Sequence, residues 1–273
     1  MTHRRIAITG PYAAAVYGLD GFKDIDWPQL WCAPIGGESG ERVVRTRRWD
    51  TPVEVADVQL CPIETVVRHL NAVPLDLIRA SDGLAPLDRI ELAVEHALRD
   101  GATVRAARGG APGDKMLHAV LQRRGNVVPT ESYAETRAVQ LLRTWGVVPW
   151  RQIPIFRQGR IEFRADFMIP FKWQRRPETI RASMGVLVEV DSREFHEGQF
   201  ERDHRRGAVY NGLGYHWITV TPNQIEHEPA LVRRSLGGAL TRAGSDLLPS
   251  IDSRVKAQRP ARKGANAVAS PRQ

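Results

Sequence analysis

Cysteine is nearly absent from this 273-residue chain: Cys32 and Cys61 are the only two, and neither belongs to a C-x-x-C pair. That excludes a thiolate zinc site or a disulfide framework as the basis of the fold, and both residues are expected as small buried apolar groups. Long hydrophobic runs are missing too. Ala13–Leu19 has the length of a buried helix, far short of a membrane span. The N-terminus carries no basic segment followed by a secretory hydrophobic stretch, so a cytoplasmic protein away from membranes is expected. Aromatics make up only 7%, and Trp145, Trp150, Trp173 and Trp217 are expected in core or edge packing rather than as base-stacking platforms.

What remains is ordinary globular material, 42% hydrophobic and 26% charged, enough to build packed cores. The length predicts two compact units and a flexible end. Net charge is +8 with a pI near 10.0, which invites a nucleic-acid reading. Its distribution tempers that reading: Ser253–Gln273 holds six basic residues and no acidic one, leaving a net +2 for everything before it. This tail is expected to be disordered, a solvated extension or a source of salt-dependent, sequence-independent DNA affinity.

The first 110 residues read as a small α+β domain. Tyr12–Tyr17 is helix-like and ends at Gly18; Pro34–Gly37 marks a turn before a strand predicted over Glu41–Arg45. Ile63–Leu70 and Leu87–Leu98 have helical apolar spacing, with Gly101 placed to stop the second helix. No catalytic cluster is visible in this half. Gly-rich Ala106–Asp114 is the expected domain boundary, and residues 111–130 are read as a linker and a helix, Met116–Arg124.

From Glu131 the pattern sharpens into a second domain over residues 131–245. Ser132-x-x-Glu135 is a capping-box pattern opening a helix to about Trp145, where Gly146 stops it. Strands are predicted at Gln152–Phe156, Ile161–Ile169 and Val186–Asp191, then a helix at Glu197–Gly212 and a strand at Tyr215–Val220. The class is α/β. The run Gly185-Val-Leu-Val-Glu189-Val-Asp191 looks like a central strand covered on both faces, with two acids that period-2 geometry puts on one side. A strand end in solvent tolerates such acids; burial together raises the pKa of at least one unless a cation compensates. With Asp166 in the preceding hairpin as a third carboxylate, the oxygen donors suit Mg²⁺ or Mn²⁺, which retain waters and bind through one or two carboxylates plus phosphate oxygens. His196, with a reference pKa near neutrality, is a candidate general acid or base. Asp203, Arg205 and Arg206 are candidate DNA contacts, although Asp203 and Arg206 at i, i+3 also suit a plain surface ion pair. Glu135 reads equally as a helix cap and as a site residue.

The ordered motifs Ser132-Tyr-Ala-Glu135-Thr-Arg137, Gln152, Arg164-Ala-Asp166-Phe167, Val188-Glu189-Val190-Asp191, Phe195-His196, Asp203-His-Arg-Arg206 and Gly214-Tyr-His-Trp-Ile together resemble an actinobacterial endonuclease-like family of unknown function. That family is similar to the very short patch repair endonucleases, within the P-D-(D/E)-X-K nuclease fold. The resemblance spans about 110 residues. It implies a restriction-endonuclease-like mixed sheet flanked by helices, Asp166 and Glu189 as metal carboxylates, Asp191 at the place of the motif lysine, Glu135 as the helix acid and His196 as the family histidine. Two positions depart from the pattern: Ser192 stands for the glycine of the Glu-x-Asp-Gly turn, and Thr219 for an arginine of the last strand. More loosely, Ala7-Ile-Thr-Gly10, Ala13–Leu19 and Cys61-Pro-Ile-Glu-Thr65-Val-Val resemble AbiEi-like antitoxins; their winged helix is expected either to be lost here or to have been cut off by a truncated start.

The expectation that follows is a metal-dependent DNA endonuclease or nickase acting on double-stranded DNA. Its rivals are a non-catalytic DNA-binding regulator of the antitoxin type and a protein-interaction module with a toxin or defence-locus partner.

Overall fold

In the computed structural model, the described residues are 7–23, 31–33, 53–55, 58–73, 78, 82–105, 114–125, 127–172, 176–191 and 197–244. The predicted strand Glu41–Arg45, the Gly-rich boundary from Ala106, Ser192, His196 and the basic tail lie outside them. Among the described residues the protein is mixed α/β with two four-stranded sheets, and no helix is long and apolar enough to cross a membrane.

The first sheet has the order β2 (Trp31–Ala33), β1 (Ala7–Thr9), β4 (Val58–Leu60), β3 (Val53–Val55). Helices α1 (Gly10–Val16) and α2 (Ile63–Leu70) pack on it, and α3 (Pro86–Arg99) packs on α2. α1 starts two residues before the expected Tyr12, with Pro11 suited to the first turn. Cys61 is buried, as expected. α4 (Asp114–Arg124) contributes Leu117 and Val120 to the same core.

α3 departs from a simple amphipathic helix. Ile90, Ala93, Val94 and Ala97 enter the first core, yet Glu91 and Glu95 are fully buried as well. They form a stripe with Asp88 that meets arginines of α4 and of the second unit. Glu91 receives a bidentate Arg143 (2.8 Å to each oxygen) and Arg123 at 3.3 Å. Glu95 receives Arg151 at 2.6 Å, Arg124 at 3.1 Å and the Thr130 backbone N–H at 3.2 Å.

The second sheet runs β5 (Trp150–Arg157), β6 (Arg160–Pro170), β7 (Gly185–Val190), β8 (His216–Val220). β5–β6–β7 are antiparallel and β8 lies parallel to β7. Parallel pairing needs a crossover, supplied by α6 (Glu197–Gly212). The run of β7, apolar except for Glu189 and buried throughout, fits its inner position, where both faces are covered. Val186, Val188 and Val190 face a core made with α5 (Tyr133–Thr144) and α8 (Pro229–Arg242). Leu187 faces the other way, toward Val209 and Tyr210 of α6. Glu189 shares that second face by period 2.

Gly185 opens β7 where a side chain has no room: a Cβ there would sit 2.2 Å from the Ile169 carbonyl oxygen and 2.8 Å from Met168 Cγ. Gly185→Ala is therefore expected to cost about 1–3 kcal/mol by overpacking. Urea denaturation checks this; an unchanged midpoint would mean that β6 and β7 separate freely at this end.

Candidate functional site

Four elements converge on a buried cluster of carboxylates. The β6–β7 register pairs Phe167 with Val188 and Met168 with Leu187, so the next step outward sets Asp166 opposite Glu189. Cross-strand neighbours of this kind lie within side-chain reach. The Val190 backbone N–H donates to Asp166 Oδ2 at 2.7 Å. Tyr210 Oη donates to Glu189 Oε1, and Arg206 Nη1 lies 3.1 Å from Glu189 Oε2. Tyr210 and Arg206 are one helical turn apart on α6, on the face that packs against the sheet.

Glu135 completes the cluster from the start of α5. Ser132 caps this helix, accepting the Glu135 backbone N–H at 3.1 Å. The return bond differs from the expected capping box: Glu135 Oε2 accepts from the Glu131 backbone N–H at 2.9 Å instead of from the cap residue, while Ser132 Oγ donates to Oε1 at 3.2 Å. Cap and site roles therefore coexist. Gln152 Nε2 donates to the same Oε2 at 3.1 Å. Gln152 holds a left-handed φ of 52° within β5, a conformation that costs energy in a non-glycine residue and persists only where surroundings enforce it. Arg176 does so here, donating to the carbonyls of Arg151 at 2.7 Å and Gln152 at 3.2 Å.

The electrostatics follow from this burial. Glu135 is pushed up to about 7, first by desolvation and then by the charge of Asp166. Glu189 is likewise pushed up to about 7 by desolvation and Asp166, against the pull of Arg206 and Tyr210. Desolvation also raises Asp166, opposed by the Val190 N–H, by Arg206 and by a hydrogen bond with the Glu189 carboxyl. Burial and the Glu189 charge push the Tyr210 phenol up, keeping it a donor.

The structure thus brings Asp166, Glu189 and Glu135 near one another. Asp191 follows the end of β7, half-buried, and its backbone N–H extends the parallel ladder to Val220 O at 2.9 Å. The carboxylate facing Glu189 is Asp166 across the ladder. Arg206 turns inward to Glu189, while Arg205 is exposed and meets Glu162 at 3.2 Å. Asp203 sits on α6. Tyr210, Gln152 as a partner of Glu135, and Arg176 were not foreseen as site residues. The i, i+4 spacing of Arg206 and Tyr210 on a helix that faces a strand ending in acids is the signal that could have found the first. The inward arginine also bears on the departure at Thr219, which stands beside Glu189 on β8: the positive charge against Glu189 comes from α6.

The donor set consists of hard oxygens, as a divalent cation binding through one or two carboxylates requires. Among the described residues, no group of three or more His, Cys, Asp or Glu side chains is arranged to hold a metal ion. No family model, curated protein or solved structure matches this chain.

Proposed function

We propose that the second unit is a restriction-endonuclease-like domain that hydrolyses phosphodiester bonds of DNA with the help of Mg²⁺ or Mn²⁺. The observation that carries this reading is the opposition of Asp166 and Glu189 on adjacent strands, both desolvated, with Glu135 beside them. The element order α5, β5–β6 hairpin, β7, α6, β8 supports it. Such a cluster opposes folding unless its charge is answered by a cation or by protons. Asp166 and Glu189 would hold the metal, which when bound polarises a phosphoryl oxygen and acidifies a water. The Val190 N–H and Tyr210 fix the two carboxylates in orientation. Glu135, titrating near neutrality, is suited to take a proton from a water held beside it. Arg206, held against Glu189, would present a guanidinium to a phosphate oxygen entering the site.

One observation favours a second reading, the non-catalytic DNA-binding regulator. Arg206 and Tyr210 already occupy both oxygens of Glu189, so the acid pair is partly satisfied without metal. Supercoiled plasmid incubated with Mg²⁺ or Mn²⁺ separates the two. The expected result is nicking or linearisation by the native protein and at least a hundredfold loss in Asp166→Asn and Glu189→Gln, about 2.7 kcal/mol in the barrier. In the same samples, Mg²⁺ should raise the melting temperature of the native protein and leave that of Asp166→Asn unmoved. DNA binding without cleavage in all three proteins, with no metal-dependent shift, would replace the nuclease by the regulator.

A further inference from the structure

The outer half of the β5–β6 hairpin extends past the rest of its sheet. β7 pairs with β6 along Phe167–Pro170, whereas the β5–β6 ladder continues from Ile153↔Ala165 out to Arg157↔Arg160. Beyond Ala165 the hairpin is therefore a two-stranded ribbon. Its turn is Gln158-Gly159, with φ 51° and 76°. Two positive φ values are what a tight type I′ turn demands, so the tip is a stiff element matched to the twist of its strands.

The base of the ribbon rests on α6. Phe163 meets Tyr210 edge-on at 6.4 Å and lies under Arg206 at 5.6 Å. The tip projects. Phe156 and Ile161 form a cross-strand pair there and are each 54% exposed. Arginines surround them: Arg157 and Arg160 close the turn, Arg164 follows on β6, and Arg205 stands on the neighbouring helix. Glu162 answers Arg157 at 3.5 Å and Arg205 at 3.2 Å, and Glu131 answers Arg164 at 3.6 Å, so four cations face two anions. Single exposed apolar residues need no explanation. An apolar pair held at the end of a stiff, cationic ribbon does, because an exposed hydrophobic strand edge invites aggregation unless it serves contact.

We propose that this ribbon is a docking arm for duplex DNA, entering the major groove with Arg157 and Arg160 on phosphates and Phe156 and Ile161 against the base edges. The inference rests on DNA being the substrate in the reading above and adds how the duplex is held. The major groove, about 12 Å wide, admits a two-stranded ribbon, and apolar side chains there meet thymine methyl groups. Arg160 lies six residues from Asp166, about 20 Å along the strand. That span corresponds to about six base steps, so the arm grips the duplex roughly half a turn from the carboxylates.

The test is fluorescence anisotropy of a labelled 20-base-pair duplex across a salt series, using the full chain. The basic tail then contributes equally to every variant. Arg157→Gln with Arg160→Gln should weaken binding at least tenfold at 0.1 M salt. It should also flatten the slope of log K against log salt by about two, one for each phosphate contact. Phe156→Ser with Ile161→Ser should weaken binding about fivefold or more with the slope unchanged, since these residues carry no charge. Circular dichroism confirms the fold of each. Variants that bind like the native protein overturn the arm, and if the native protein still cuts plasmid, the nuclease reading survives that failure. A native protein that fails to bind duplex also overturns the arm; sedimentation of the same samples would then show whether Phe156 and Ile161 instead join two copies. A native protein that binds through these residues yet never cuts supports the arm and removes the nuclease.

Discussion

Glu95→Gln is expected to destabilise the folded chain by about 3–5 kcal/mol, the cost of breaking a buried ion pair from one side. Glu95 is fully buried, and the side chains of its partners Arg151 and Arg124 are only 4% and 8% exposed. Burial pushes the Glu95 carboxyl up, but Arg151 and Arg124 override it and hold the group below the usual carboxylate range. Neutralising it leaves two guanidinium groups out of water facing an amide that presents one acceptor. The loss is large because desolvation has already been incurred, and the attraction that offset it is gone. Losing all three charges together, as in Glu95→Leu with Arg124→Leu and Arg151→Met, should cost far less than the sum of the single substitutions, the non-additivity of groups that share one network. Urea denaturation followed by circular dichroism and by tryptophan fluorescence measures both effects. A loss under 1 kcal/mol in Glu95→Gln would mean that water reaches the network. Glu95 on α3 ties the first core to β5 of the second unit, so the two probes should also report separate transitions in this variant while coinciding in the native chain.

That network was hidden in the sequence, and the reason is physical. Apolar periodicity locates a helix by the face it buries in a hydrophobic core, and Leu87, Ile90, Leu92, Val94 and Leu98 did so for α3. The same helix buries a second, charged face, and charged residues at i, i+3 and i+7 look identical in sequence whether they meet solvent or arginines from 50 residues away. The second unit was more legible because its elements announce themselves locally. β7 is apolar but for Glu189, α6 begins and ends as its helical pattern predicts, and Ser132 caps α5. The meeting of Asp166 with Glu189 needed only the assumption that consecutive strands pair. What could not be read was the answer to their charge. Tyr210 and Arg206 reach Glu189 across a parallel crossover whose packing depends on Gly207, where an added Cβ would lie 2.7 Å from the Trp217 ring. Nor does the side-chain pattern mark Gln152 as a left-handed residue. Its backbone is set by Arg176, a contact between elements.

The carboxylate cluster should also give the protein an inverted pH response, and Glu135→Gln is the substitution that exposes it. Glu135 and Glu189 titrate near 7 in the folded state, against an ordinary value of about 4.3 when unfolded. Below pH 4 both states bind the proton and the groups contribute no penalty. As pH rises through about 4.5 the unfolded chain loses protons that the folded chain keeps, so stability falls; the loss is complete once the folded groups ionise near 7. Asp20 and Glu95 work in the opposite sense. Both are held below their usual range, in spite of burial, by hydrogen bonds and charges from His96 and Arg99 in one case and from Arg151 and Arg124 in the other. Their contribution disappears as pH falls below about 4. Stability should therefore peak near pH 5 and decline toward pH 8, with Glu135 alone responsible for a loss on the order of 3 kcal/mol before solvent relaxation reduces it. Glutamine can keep every bond that Glu135 makes: its carbonyl oxygen accepts from Gln152 and the Glu131 N–H, and its amide donates to Ser132 Oγ. Glu135→Gln should accordingly match the native protein at pH 5 and exceed it by about 2 kcal/mol at pH 8, measured as the urea midpoint at each pH. A variant less stable than the native protein at pH 8 would show that the Glu135 charge is already compensated in the free protein. A more stable variant that has also lost cleavage would show a site that keeps an unfavourable charge for its chemistry at the expense of its fold.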